Sequence, residues 1–141
     1  MKPVWMICLS LATLAQGLAS PVGLWRTIDP ETRSVESLVR IVETPAGLSG
    51  RIERVLDPAK ATARCEACGG PRKGQPVQGM AIIEGVRRSA SGPHWDGGSI
   101  LDPKNGKTYK VRLTPLDGGK RLAVRGMLGP FHRDQFWERA E

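Results

Sequence analysis

Tyr109-Lys110-Val111-Arg112-Leu113-Thr114, the turn Leu116-Asp117-Gly118-Gly119-Lys120, and then Arg121-Leu122-Ala123-Val124-Arg125 decide how this chain folds. In the first stretch apolar and polar side chains alternate strictly, the period of a strand with one buried face. In the last stretch Leu122 and Val124 alternate with arginines around a small Ala123. Asp-Gly-Gly between them suits the tight reversal of a hairpin. An antiparallel pair is therefore expected here, with Val111, Leu113, Leu122 and Val124 on the inner face.

The same grammar extends in both directions. Further strand candidates are Leu24 to Ile28, Leu38 to Glu43, Leu48 to Leu56, Met80 to Arg88, His94 to Ile100 and Gln135 to Arg139. Thr44-Pro45-Ala46-Gly47 reads as a second hairpin loop. Three strands end in an apolar residue followed by Asp-Pro, at Ile28-Asp29-Pro30, Leu56-Asp57-Pro58 and Leu101-Asp102-Pro103. Aspartate can accept from the backbone two residues on, and proline pre-sets the next φ for a turn. These acids are far apart in sequence and lack a calcium-loop spacing, so they read as turn formers. No long segment carries a helical period. About eight short strands punctuated by glycine and proline predict an all-β barrel or sandwich.

The N-terminal stretch is of another kind. Lys2 precedes a mostly apolar run from Val4 to Leu14, and small residues follow at Gly17-Leu18-Ala19. That layout is expected of a secretory signal peptide over residues 1–19. The apolar run is shorter than the roughly 20 residues of a membrane span. Cleavage after Ala19 would remove Cys8 and Trp5 and leave one domain over residues 20–141 in the periplasm or outside the cell, with no transmembrane segment.

Whole-chain charge is +7, or +6 once Lys2 is lost. The basic residues are scattered, with no run resembling a nucleic-acid arm, so nucleic acid is not an expected partner. Attraction to an anionic envelope surface remains open.

Asp57 to Gln78 breaks the strand rhythm and is far longer than an ordinary connection. It holds Cys65-Glu66-Ala67-Cys68. A thioredoxin-like centre wants its first thiolate at a helix N-terminus. Gly69-Gly70-Pro71 after the second cysteine opposes a helix. A zinc site completed by His94 or His132 lacks a second close pair of ligands, so no metal is expected. A disulfide stapling the loop is the default in an oxidising compartment. The two histidines have no nucleophile and acid at a recognisable spacing and read as surface or turn residues. Trp25, Trp95 and Trp137 are core candidates, some of which could instead line a pocket.

Taken in order, these phrases resemble the bacterial family of exported proteins known as domain of unknown function 2147. The matching residues are Gly23-Leu24-Trp25 with Asp29-Pro30; Gly50-Arg51-Ile52 with Leu56-Asp57-Pro58; and Cys65 to Cys68. Lys73-Gly74, Pro76, Gly79 and Met80 follow. Then come Trp95-Asp96-Gly97-Gly98 with Ile100-Leu101-Asp102-Pro103, Asn105-Gly106-Lys107 with Tyr109, and finally Leu122, Val124-Arg125-Gly126, Gly129 and Trp137. The resemblance implies a single antiparallel up-and-down β-barrel, lipocalin- or calycin-like. Gly23-x-Trp25 is similar to the lipocalin opening motif, in which an arginine near the barrel's end packs across the tryptophan; Arg139 and Arg125 are the two candidates. One departure is Gly129-Pro130-Phe131, whose proline bears on the entry to the last strand. The family has no established general activity.

Three functions follow as expectations. The first is a periplasmic or secreted barrel holding a small amphipathic or lipidic ligand, with Trp95, Tyr109 and Arg125 as lining candidates and no cofactor. The second is a non-enzymatic envelope protein using its basic surface. The third is a thiol oxidoreductase at Cys65 and Cys68.

Overall fold

The computed structural model describes Pro3 and residues 19–141. Apart from Pro3 and Ala19, the expected signal segment lies outside the described residues.

Eight antiparallel strands close into one barrel in which each strand pairs with its sequence neighbours and β8 returns to β1. They are β1 (Gly23–Ile28), β2 (Val35–Thr44), β3 (Gly47–Val55), β4 (Ala81–Arg88), β5 (Trp95–Asp102), β6 (Lys107–Leu116), β7 (Arg121–Leu128) and β8 (Phe131–Arg139). Closure leaves no strand without a partner on either side, although β8 meets β1 only at Trp25–Arg139 and Arg26–Glu138. The barrel alternative holds and the sandwich does not. The opening hairpin is β6–β7, in unbroken register from Lys110 opposite Met127 to Leu116 opposite Arg121. Pro130 leaves β8 intact. It sits in the tight turn with Gly129, whose φ is +58°, and β8 starts at Phe131 with Leu128 opposite. The last strand thus begins four residues before the sequence period was visible.

Because successive strands reverse direction, the loops fall into two rims. One rim carries the β2–β3, β4–β5 and β6–β7 connections and both chain ends of the domain. The other carries the β1–β2 loop, the long β3–β4 segment and the β5–β6 and β7–β8 turns. All three Asp-Pro turns belong to this second rim. Their aspartates accept backbone N–H groups as expected: Asp29 from Glu31 (2.8 Å) and Thr32 (3.1 Å), Asp57 from Ala59 (3.0 Å), Asp102 from Lys104 (2.9 Å).

The first rim is closed by packing. Trp25, Ile41, Val86, Leu113 and Leu122 are fully buried. The Trp25 indole N–H donates to the Pro21 carbonyl (2.8 Å). Arg139 lays its guanidinium 4.3 Å from the Trp25 ring centroid. It also donates to the carbonyls of Gly119, Val22 (2.9 Å) and Ser20 (2.8 Å). Gly23 makes room for it, since a Cβ there would lie 2.4 Å from the Arg139 Nη1. The charge on Arg139 is met by a π face, by these three carbonyl dipoles and by the main-chain oxygen of Glu141 at 3.3 Å.

The β3–β4 segment is compact. Cys65 and Cys68 form a disulfide, and both are buried. Backbone bonds between Cys65 and Gln75 and between Ala63 and Val77 fold the segment back on itself. It then packs on the β5–β6 turn, where a Cβ on Gly106 would lie only 2.0 Å from the Ala67 carbonyl oxygen.

Candidate ligand cavity

Four strands change character as they approach the second rim. On β1 the inward Trp25 is followed two residues on by Thr27, on β2 Ile41 and Val39 by Ser37, on β6 Leu113 and Val111 by Tyr109, and on β8 Trp137 is preceded by Gln135. Smaller or more polar groups at these positions leave space that the packed end does not have. The result is a cavity of about 1230 Å³ reaching from the middle of the barrel to the second rim. Its wall is mainly apolar, with Val39, Ile52, Val55, Ile100, Val124 and Trp137 among the lining residues.

The polar groups within it are few and uncharged. Thr27, only 7% exposed, shares a 2.7 Å hydroxyl–hydroxyl bond with Ser37. Gln135 accepts from the Trp137 indole N–H (3.3 Å), leaving its amide N–H groups for another acceptor. Nearer the rim, the Tyr109 hydroxyl accepts from the Asn105 amide (2.9 Å).

Charge enters only at the mouth. Lys104 in the β5–β6 turn reaches across to Glu36 on β2 (2.7 Å), with Asp29 at 3.9 Å. In an eight-stranded barrel these elements stand on opposite sides of the opening. The hydrogen bond to Glu36 raises the Lys104 pKa above the ordinary lysine value. Backbone N–H groups of Thr32 and Glu31 hold the Asp29 carboxyl below the usual carboxylate range. Arg133 on β8 faces Asp102 at 3.5 Å. Phe131 and Leu128, at the β7–β8 turn, are exposed and form an apolar stretch of the lip.

The three expected lining residues do not meet. Tyr109 is on the cavity wall. Trp95 starts β5 at the packed end, under the Arg88 guanidinium (4.8 Å from the ring centroid). Arg125 alternates with the inward Val124 and so points outward, where it makes two bonds to Asp134 (2.7 and 3.0 Å). That pairing raises the Arg125 pKa and lowers that of Asp134. Trp95 was placed by residue type, and only the position along the barrel separates it from Trp137. Strand parity sets Arg125 out of phase with the inward Val124. Thr27, Ser37 and Gln135 were missed, yet each breaks the apolar phase at an inward position, and that break is visible in the sequence. His132 lines the mouth, whereas His94 sits at the packed end beside Asp96. Among the described residues no group of three or more His, Cys, Asp or Glu is placed to hold a metal ion.

A closed eight-stranded antiparallel barrel, packed at one end and hollow at the other, with arginine across a Gly-x-Trp tryptophan, has the architecture of a lipocalin-like protein. The solved structure of protein HP1028 from Helicobacter pylori, described as belonging to the lipocalin family, is similar to it: TM-score 0.73, 17% identity, covering 87% of this chain and 84% of that one. Residues 23–139 match the family described as "Uncharacterized protein conserved in bacteria (DUF2147)", and the chain belongs to that family. None of the curated proteins matches it.

Proposed function

We propose that this protein is an exported barrel that binds one small amphipathic molecule in the cavity at its second rim. The observation that carries the reading is the cavity itself: apolar walls, a few neutral hydrogen-bonding groups inside, and charge confined to the mouth. Ligand sites have this composition because apolar contact supplies affinity and a few polar groups fix orientation. A volume of about 1230 Å³ suits a single lipid-sized molecule. The lipocalin-like fold supports a binding role over an enzymatic one. The buried disulfide agrees, because thiol exchange needs an accessible thiolate.

Export rests on the N-terminal pattern, and the packed end is compatible with it. Arg139 uses the Ser20 carbonyl and Trp25 uses the Pro21 carbonyl. A mature chain starting at Ser20 keeps both partners. Intact mass of the protein recovered from the periplasm should then correspond to loss of residues 1–19. A full-length mass in the cytoplasmic fraction counts against export.

Binding is tested with the uncharged fluorophore N-phenyl-1-naphthylamine. Its emission should rise to saturation at one probe per barrel. Val124→Trp, which fills the cavity from a lining position, should abolish the signal while leaving the far-UV spectrum unchanged. Unsaturable fluorescence, or equal binding by the variant, removes the reading.

A further inference from the structure

The cavity and its mouth also specify the charge of the cargo, an inference that rests on the binding role proposed above. The interior offers a charged head group nothing. Thr27, Ser37 and Gln135 are neutral, and an ion placed among them would lose its hydration without gaining a counter-ion. A charged head must therefore stay at the mouth while the apolar part enters.

The residues that line the cavity and its mouth are acidic on balance, on a basic protein. Six of the chain's fourteen acidic residues line the cavity, against four of its twenty-one basic ones. The lining therefore carries a net charge of −2 on a chain of +7. The basic groups are largely engaged as well. Lys104 is held by Glu36 and lies near Asp29, Arg133 faces Asp102, and Arg64 donates to the Gly74 carbonyl (2.9 Å). Lys60 remains. On the acidic side Glu31 and Glu66 have no side-chain hydrogen bond or ion pair among the described residues, and both are exposed on the rim. An anionic head would find Lys60 alone against these two carboxylates, or would have to take Lys104 away from Glu36. A cationic head needs no rearrangement.

We infer that the cavity takes its amphiphile tail-first and selects a cationic head group, tolerating an uncharged one and disfavouring a carboxylate or phosphate. At about 0.1 M salt, where the screening length is about 10 Å, the charges that line the mouth act on a head group more strongly than the scattered arginines of the outer wall.

The test is calorimetric titration at neutral pH with three probes built on twelve-carbon chains, each below its micelle concentration. They are dodecyltrimethylammonium, the glycerol ester of dodecanoic acid, and dodecanoate. The ammonium probe should bind about tenfold tighter than the carboxylate at about 0.1 M ionic strength, with the ester between them and the gap narrowing as further salt is added. Glu31→Lys combined with Glu66→Lys should reverse the order and leave the ester unchanged. Dodecanoate binding as tightly as the ammonium probe to the native protein overturns the inference, as does an unaltered order in the double variant. In both cases the ester still binds, so the ligand-binding role survives. If none of the three binds, that role falls too.

Discussion

At one end of the barrel Trp25, Ile41, Val86, Leu113 and Leu122 have no exposed surface. At the other, the same inward rows of the same strands carry Thr27, Ser37, Tyr109 and Gln135 around a cavity of about 1230 Å³. The ladder closes at the packed end, where β1 meets β8 at Trp25–Arg139 and Arg26–Glu138, whereas towards the cavity β8 pairs with β7 alone. Side-chain volume divides the two ends in the same way. The packed end can supply most of the stability, and that leaves the open end free to present space and neutral donors where a filled core would otherwise be favoured.

The sharpest way to break this comparison is a pair of truncations. Trp25→Ala should cost about 3–5 kcal/mol in urea unfolding, because it empties a fully buried site and strands both the Pro21 carbonyl and the Arg139 guanidinium. Tyr109→Ala at the cavity should cost much less, within about 1–2 kcal/mol, and should act mainly on probe affinity. Equal costs would mean the two ends share the load.

Arg139→Ala comes next, at about 2–3 kcal/mol, since it removes the cation over Trp25 and leaves three carbonyls unpaired. Arg139→Lys should recover less than half of that, because an ammonium lacks the planar fork that serves all three acceptors. Full recovery by lysine would show that charge alone seals the packed end.

Replacing Cys65 and Cys68 together by serine should cost no more than about 2 kcal/mol, the loop-entropy value for so short a ring. The loss should appear as faster amide exchange in residues 57–80 and not at the packed end. In the native protein no thiol should titrate with Cys8 removed.

The smallest effects are electrostatic. Asp29 and Asp134 both have carboxyl pKa values lowered in the fold, by backbone N–H groups and by Arg125 respectively. The unfolded chain therefore binds more protons than the native one near the ordinary aspartate value of 3.8. Their contribution is present above that value and is lost as pH falls through and below it. The melting temperature should hold from about pH 8 to 5 and fall below about pH 4. Asp29→Asn and Asp134→Asn should each flatten this acid limb. Lys104 has the opposite sign: its raised pKa gives stability that is complete below 10.5 and is lost as pH climbs past the folded value.

Much of the fold was legible because a barrel strand records its environment in alternate residues. Tyr109 to Thr114, Leu122 to Arg125 and the three Asp-Pro turns announced their structure locally, and all became strands or rim turns. β8 was only half visible, since Phe131 to Asp134 lie at the exposed lip where little burial imposes a pattern. The candidate site was read less well. Tyr109 stands on the cavity wall, while Trp95 and Arg125 lie elsewhere, because residue type does not reveal height along the barrel or, without parity, inside from outside.

From the sequence alone came the strands, their inner faces, the turn chemistry, the cysteine staple and the Gly23–Trp25 opening, all set by interactions among near neighbours in the chain. Tertiary structure decided the rest. Closing β8 onto β1 brought Arg139 over Trp25 and set Lys104 opposite Glu36 across the mouth. It also gathered Thr27, Ser37 and Gln135 from three strands into one hollow. Those relations depend on the stagger and circumference of the closed cylinder, which no local stretch of sequence encodes.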